Sequence, residues 1–62
     1  MKYSEFKKML KQCGCYKTSE GSKHEEWYSP INGKYFRIGR HNNEDVPSGT
    51  YSAILKQAGL KG

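Results

Sequence analysis

Long apolar runs and clustered carboxylates are both scarce in this sequence. A transmembrane helix needs about 20 consecutive apolar residues, and neither such a run nor the apolar stretch of a signal peptide follows Met1. The few acidic residues form no cluster that suggests a Mg²⁺ site. These absences predict a cytoplasmic protein that does not enter a membrane and works without a metal ion or another cofactor.

Cysteine is also scarce, and Cys13 and Cys15 are separated by a single glycine. This spacing rarely allows a good disulfide, and a reducing cytosol would break it. Zinc would need two more ligands, and His24 and His41 do not follow a recognisable ligand spacing. We therefore expect Cys13 to be a small core residue and Cys15 to begin a strand.

The charge of the chain favours an anionic partner. Its 62 residues suit one domain, residues 1–62, and a core of this size leaves a narrow margin over chain entropy. Eleven Lys and Arg residues against six Asp and Glu give a net charge of +5. Nucleic acid is the commonest anionic partner of a basic domain, although many small domains are basic without such a role.

The first amphipathic segment predicts a helix over residues 4–13. Ser4 is a suitable N-cap, and Gly14 is suited to the left-handed conformation that ends many helices. Lysines occupy the opposite side and are expected in solvent. The apolar positions recur with helical spacing and are Phe6, Met9, Leu10 and Cys13.

A second helix is predicted after a polar loop. Ser48 or Thr50 is expected to cap its start, and Gly59 to end it. Its apolar positions are Tyr51, Ile54, Leu55 and Ala58.

Three strands are predicted between the helices, over residues 15–19, 23–29 and 34–40. A turn at Gly21-Ser22 separates the first two, and Asn32-Gly33 favours a tight hairpin between the last two. The order is α-β-β-β-α, an α+β fold in which two helices pack on one face of a three-stranded antiparallel sheet.

The length of the hairpin loop decides which residue lies opposite His24, and the sequence leaves two registers open. A two-residue loop places His24 opposite His41 and Tyr28 opposite Arg37, whereas a three-residue loop with a bulge at Gly33 places Trp27 beside Arg37. In both registers Phe36 and Ile38 face the core. The solvent-exposed face would carry His24, Glu26, Tyr28, Tyr35, Arg37 and His41.

His24 is the strongest candidate for chemistry. It follows a glycine-serine turn at the start of a strand, where a side chain is both exposed and held in place. A histidine has an unperturbed pKa of about 6.5 and exchanges protons near neutral pH. From the pattern alone, a strand-end histidine with one local hydrogen bond is the commoner case.

Three sequence motifs resemble those of the HicA toxins of bacterial type II toxin–antitoxin systems. Gly21-Ser22-Lys23-His24 looks like the Gly-Ser-x-His signature of that family, with the histidine in the catalytic position. Residues 27–34 resemble its aromatic strand and hairpin. Pro47-x-Gly49-Thr50 followed by residues 54–60 resembles its C-terminal helix, the most specific part of the match.

The resemblance implies a fold similar to a double-stranded RNA-binding domain and an endoribonuclease that cleaves mRNA to inhibit translation. His24 would act as general acid or base. A HicB antitoxin would bind and silence the toxin, and DNA would be contacted only through that antitoxin.

Other residues are candidate members of the same site. His41 is a possible second acid or base. The alternative is that His41 is a solvated loop histidine with no part in the chemistry. Lys23, Arg37 and Arg40 are candidate phosphate contacts. Tyr28 is a candidate base-stacking residue, as is Tyr35, while Gly21 and Ser22 shape the turn.

Two other classes of function fit the same sequence. One is a non-catalytic RNA-binding module with this fold, although it would lack the long basic runs expected for tight duplex binding. Cleavage of naked RNA separates it from the enzyme. The other is a protein-interaction module whose basic face serves an acidic partner, and salt-sensitive RNA binding without that partner would count against it.

Overall fold

The predicted order of elements is confirmed. The computed structural model describes residues 1–60 and contains α1 (Tyr3–Gln12), β1 (Tyr16–Glu20), β2 (His24–Ser29), β3 (Lys34–Gly39) and α2 (Ser48–Gln57). The strands form one antiparallel sheet in the order β1-β2-β3. Residues 61 and 62, the end of the predicted domain 1–62, lie outside the described residues. No helix within residues 1–60 is long and apolar enough to cross a membrane.

Both predicted N-caps are wrong. α1 begins at Tyr3 with Lys2 as its cap residue, and the Lys2 backbone N–H donates to the Glu5 carboxylate at 3.1 Å. Ser4 lies inside the first turn, where its backbone N–H donates to the Asn42 carbonyl at 3.1 Å. The backbone carbonyl of Asn42, in a distant loop, therefore accepts a hydrogen bond at the helix start, where the Ser4 hydroxyl was expected to be the acceptor.

The start of α2 shows the same kind of difference. Ser48 is its first residue and Pro47 its cap residue, so neither Ser48 nor Thr50 caps the helix through its hydroxyl. Proline has a fixed φ that suits a helix entry, and the Pro47 carbonyl accepts the Tyr51 N–H at 2.9 Å.

The predicted helix ends at Gly14 and Gly59 are confirmed. These glycines have φ values of +96° and +76°, a region that other residues rarely enter. A Cβ on Gly59 would also lie 3.0 Å from the Cβ of Asn32. Asn32 links the hairpin to α2 by donating to the Gln57 carbonyl at 2.7 Å.

The core lies on one face of the sheet beneath both helices. Phe36 and Ile38 are buried as predicted. The prediction of Cys13 as a core residue is wrong, because Cys13 ends α1 in solvent. Cys15, directly before β1, is buried. The buried apolar residues are Tyr3, Phe6, Leu10, Cys15, Trp27, Phe36, Ile38, Ile54 and Ala58.

Neither predicted hairpin register is correct. The last β2–β3 pair is Ser29 and Lys34, so residues 30–33 form a four-residue loop. Gly33 has a φ of +68°, and its N–H donates to the Ser29 carbonyl at 2.9 Å. The link from Asn32 to α2 is the tertiary contact that accompanies this longer loop. As a consequence, His24 lies opposite Gly39 and Tyr28 lies opposite Tyr35.

A buried ion pair joins α1 to the start of β2. The Lys7 Nζ lies 3.2 Å from Glu25 Oε2, and both side chains are nearly buried. Glu25 Oε1 accepts the Trp27 indole N–H at 3.0 Å, and Lys7 also donates to Asn42 Oδ1 at 2.6 Å. The sequence placed Lys7 in solvent with the other lysines of α1, and the structure corrects that placement.

The ion pair also determines the charge of Glu25. Burial by itself raises the pKa of the Glu25 carboxyl, but the hydrogen bonds from Trp27 and Lys7 and the Lys7 charge outweigh it. The pKa of Glu25 is therefore lowered from its ordinary value of 4.5. The carboxylate remains ionised at neutral pH and holds β2 against α1.

Candidate active site

His24 is the first residue of β2, and its side chain is exposed. The turn before it is tight, because the Gly21 N–H donates to the His24 carbonyl at 2.7 Å. A Cβ on Gly21 would lie 3.1 Å from that carbonyl oxygen, so a larger residue would shift the turn by a few tenths of an ångström. Gly21 thus suits the predicted role of shaping the turn.

Arg40 holds this turn from the end of β3. Its Nη1 donates to the Gly21 carbonyl at 2.8 Å and to the Ser22 carbonyl at 3.4 Å, while Nη2 lies 3.6 Å from Glu20 Oε2. A hydrogen bond from Lys17, together with the charge of Arg40, lowers the pKa of Glu20. Arg40 was predicted as an RNA contact, and the structure gives it contacts within the chain.

A shallow cleft lies over the turn and exposes two cations beside His24. Lys23 and Arg37 are both exposed, and within residues 1–60 neither forms an ion pair. In the register of the two strands, Arg37 of β3 lies opposite Glu26 of β2. The cleft is lined by Ser19, Gly21, Ser22, Lys23, His24, Glu25, Glu26 and Arg37.

His41 is not the cross-strand partner of His24. Its ring lies over Gly39, with Cδ2 at 3.4 Å from where a Cβ on that glycine would be, and it packs edge-on against Tyr3 at a centroid distance of 6.5 Å. Its Nδ1 lies 3.7 Å from Glu44 Oε2. Both histidines border an open groove between β3 and α2. The fold therefore brings them to the same groove, although they are not cross-strand partners.

Tyr28 lies between two other tyrosines on the exposed face. The Tyr16 and Tyr28 ring centroids are 5.6 Å apart, and those of Tyr28 and Tyr35 are 5.0 Å apart. The sequence did not identify Tyr16 as a site residue, because the pattern of β1 is weak. Tyr16 pairs with Tyr28 across the sheet, which places it on the same exposed face.

The arrangement provides a proton-exchanging side chain at the rim of a cleft with two cationic side chains. Such a set suits chemistry in which a proton moves while negative charge develops on a phosphate. Among residues 1–60, no three His, Cys, Asp or Glu side chains come together as potential metal ligands.

Comparison with known proteins identifies the relatives of this chain. The family model described as the HicA toxin of bacterial toxin–antitoxin systems matches residues 3–60. A protein of Photorhabdus laumondii named "Probable mRNA interferase HicA 2" is 36% identical over 61 residues, which cover 98% of this chain and all of that relative. No solved structure matches the chain.

Proposed function

The chain belongs to the HicA toxin family of bacterial toxin–antitoxin systems, and on that premise we propose that it cleaves mRNA with His24 as its general base. The observation that carries this assignment is the position of His24, exposed at the rim of a cleft beside Lys23 and Arg37. The name of the Photorhabdus laumondii relative supports mRNA as the substrate. We also propose that the protein acts in the cytoplasm, where mRNA is translated.

The proposed reaction uses the 2′-hydroxyl of the substrate as the nucleophile. His24 removes the proton from that hydroxyl, and the oxygen attacks the adjacent phosphorus. The bond to the 5′-oxygen of the next nucleotide breaks, and that oxygen takes up a proton. The products are a 2′,3′-cyclic phosphate and a free 5′-hydroxyl.

The remaining polar residues have distinct roles in this proposal. Lys23 and Arg37 stabilise the negative charge that develops on the phosphorane, and His41 is the candidate acid for the leaving oxygen. Gly21 and Ser22 form the turn that presents His24, and Arg40 positions that turn through its two carbonyl contacts. Tyr28 contributes a stacking surface for bases.

Cleavage is expected to persist in EDTA and to leave a 2′,3′-cyclic phosphate or a 3′-phosphate. The reason is that an imidazole and two cationic side chains supply the base and the charge stabilisation that the reaction needs. Purified protein is incubated with an end-labelled RNA, with and without EDTA, and the ends are identified by phosphatase treatment and mass spectrometry. A 3′-hydroxyl end, or a strict Mg²⁺ requirement, contradicts 2′-hydroxyl attack.

We propose that the cognate antitoxin is a HicB protein that silences the toxin by covering the cleft. Blocking the face that bears His24, Lys23 and Arg37 stops RNA binding and chemistry together. The covering surface is expected to supply carboxylates to these cations, so the complex should weaken as salt rises.

Hydrogen exchange of the toxin with and without antitoxin measures this occlusion. Protection is expected over residues 23–28 and in β3, the strands that carry the exposed cleft residues. α1 provides the internal control, since its core-facing side is already buried. Protection confined to α1, with residues 23–28 unchanged, contradicts inhibition by occlusion.

A further inference from the structure

We infer that Tyr16, Tyr28 and Tyr35 form a stacking platform for the unpaired bases of single-stranded RNA. The three residues occupy one row across β1, β2 and β3, because Tyr28 pairs with Tyr16 on one side and with Tyr35 on the other. This inference deepens the proposed function, on which it rests, by naming the form of RNA that the site accepts.

The outer rings of the row are open to solvent. Tyr16 is 52% exposed and Tyr35 is 60% exposed, whereas Tyr28 between them is half-buried. Neighbouring rings are tilted by 50° and 59°, so they brace one another by tilted contacts. Tyr28 thus supports the row and adds its partly exposed ring to the stacking surface, while the outer two rings are the more open ones.

The row is continuous with the candidate active site. Along β2, Tyr28 is four residues from His24, a separation of about 13 Å at about 3.3 Å per residue. Along β3, Arg37 is two residues from Tyr35, on the same face. An RNA strand that lies along this face would place bases on the tyrosines, a phosphate at Arg37 and another phosphate at His24.

Single-stranded RNA fits this row better than a duplex or a protein partner. The bases of a duplex are stacked on one another and cannot present their faces to aromatic side chains, whereas unpaired bases can. The net charge of +5 and Arg37 beside the row, which forms no ion pair within residues 1–60, favour a polyanion. The Photorhabdus laumondii relative is named an mRNA interferase, and mRNA is a single-stranded molecule.

The test is the binding of a fluorescent single-stranded RNA whose 2′-hydroxyls are all methylated, so that no nucleophile is available for cleavage. Tyr16→Ala and Tyr35→Ala are each expected to raise Kd about 5- to 150-fold, the range that corresponds to one base-stacking contact. Tyr16→Phe and Tyr35→Phe keep the ring face and are expected to retain the affinity of the unchanged chain. Circular dichroism checks that each variant is folded.

Three controls make the test specific. Ile31→Ala removes another large exposed apolar side chain, at the hairpin loop and outside the row, and is expected to leave Kd unchanged. Tyr35→Leu keeps apolar area but loses the π-face, so its loss should match that of Tyr35→Ala. A duplex of the same sequence is expected to bind more weakly than the single strand and with little dependence on the tyrosines.

Four results overturn the platform. These are unchanged Kd in both alanine variants, a leucine variant that binds like the unchanged chain, duplex binding with the same tyrosine dependence, and loss of antitoxin binding with RNA binding intact. The last would assign the row to the antitoxin.

Cleavage of the unmethylated RNA by the unchanged chain is measured separately. If cleavage is absent while tyrosine-dependent binding remains, the proposed function fails and the platform stands. If cleavage occurs while both alanine variants bind normally, the platform fails and the proposed function stands.

Discussion

Replacing His24 with alanine is expected to abolish RNA cleavage and growth arrest while leaving the fold and antitoxin binding intact. A positioned general acid or base contributes about 10²- to 10⁴-fold to a rate, and no other side chain is assigned the removal of the 2′-hydroxyl proton. The exposed His24 side chain makes no hydrogen bond or ion pair within the described residues 1–60, so its loss should cost little stability. The measurements are the cleavage rate of a labelled RNA and the growth of cells that express the toxin without antitoxin.

His41→Ala is the matched control for His24→Ala. It removes the other histidine, which borders the same groove but contacts Tyr3 and Glu44 instead of the cleft over the turn. A smaller loss is expected, and the alkaline decline of the pH–rate profile should weaken if His41 is the acid, because only a protonated imidazole can donate to the leaving oxygen. A His24→Ala protein that remains as toxic as the unchanged chain would show that the proposed mechanism is wrong.

Replacing Lys7 with methionine is expected to cause the largest loss of stability. The change leaves the Glu25 carboxylate buried without its cation, and removing one member of a buried ion pair typically costs about 3–5 kcal/mol. A core of this size rarely supplies more than about 3–5 kcal/mol in total. The variant should therefore be largely unfolded in the absence of antitoxin, as measured by urea denaturation and circular dichroism.

Lys8→Met is the control for this substitution, because Lys8 is the exposed neighbour on the same helix. It is expected to change the free energy of unfolding by less than about 0.5 kcal/mol. Adding Glu25→Gln to Lys7→Met removes the unpaired charge and should restore part of the stability. Equal stability of Lys7→Met and Lys8→Met would mean that the buried pair does not hold the fold together.

The pH dependence of stability gives an independent check on Glu25. Its pKa is lowered in the folded state from an ordinary value of 4.5, so the unfolded chain binds a proton more readily than the folded chain. The stabilisation is therefore complete above pH 4.5 and declines as the pH falls through the lower folded value. Glu25→Gln should be less stable at neutral pH and should show a weaker decline in acid than the unchanged chain.

The element order and most of the core were predictable from local pattern. Helical spacing of the apolar residues locates α1 and α2, alternation locates β3, and the left-handed glycines Gly14 and Gly59 end both helices as expected. These features depend on residues within one or two turns of each other. Three motifs that resemble those of HicA toxins, the C-terminal one most specific, predicted the family membership that the comparison confirms. Within that resemblance, the Gly21-Ser22-Lys23-His24 motif identified the candidate base.

Pairings between distant segments were not predictable in the same way. The four-residue loop comes with the contact from Asn32 to Gln57, and its register places Gly39, instead of His41, opposite His24. Lys7 occupies a helix position that suits solvent, yet its ammonium lies against Glu25 and Asn42. Local pattern carries no information about which loop approaches a helix start, and the N-cap of α1 was missed for that reason.

Local sequence was enough to identify the α-β-β-β-α order, the basic charge, the family and the candidate base His24, because each of these depends on composition or on short runs of residues. The folded chain was needed to show that Arg40 holds the turn, that Glu25 is paired with Lys7 and that three tyrosines form one row. These arrangements depend on strand register and on the packing of α1. Both are set by contacts between residues far apart in the chain, where a shift of one residue moves every side chain to the opposite face.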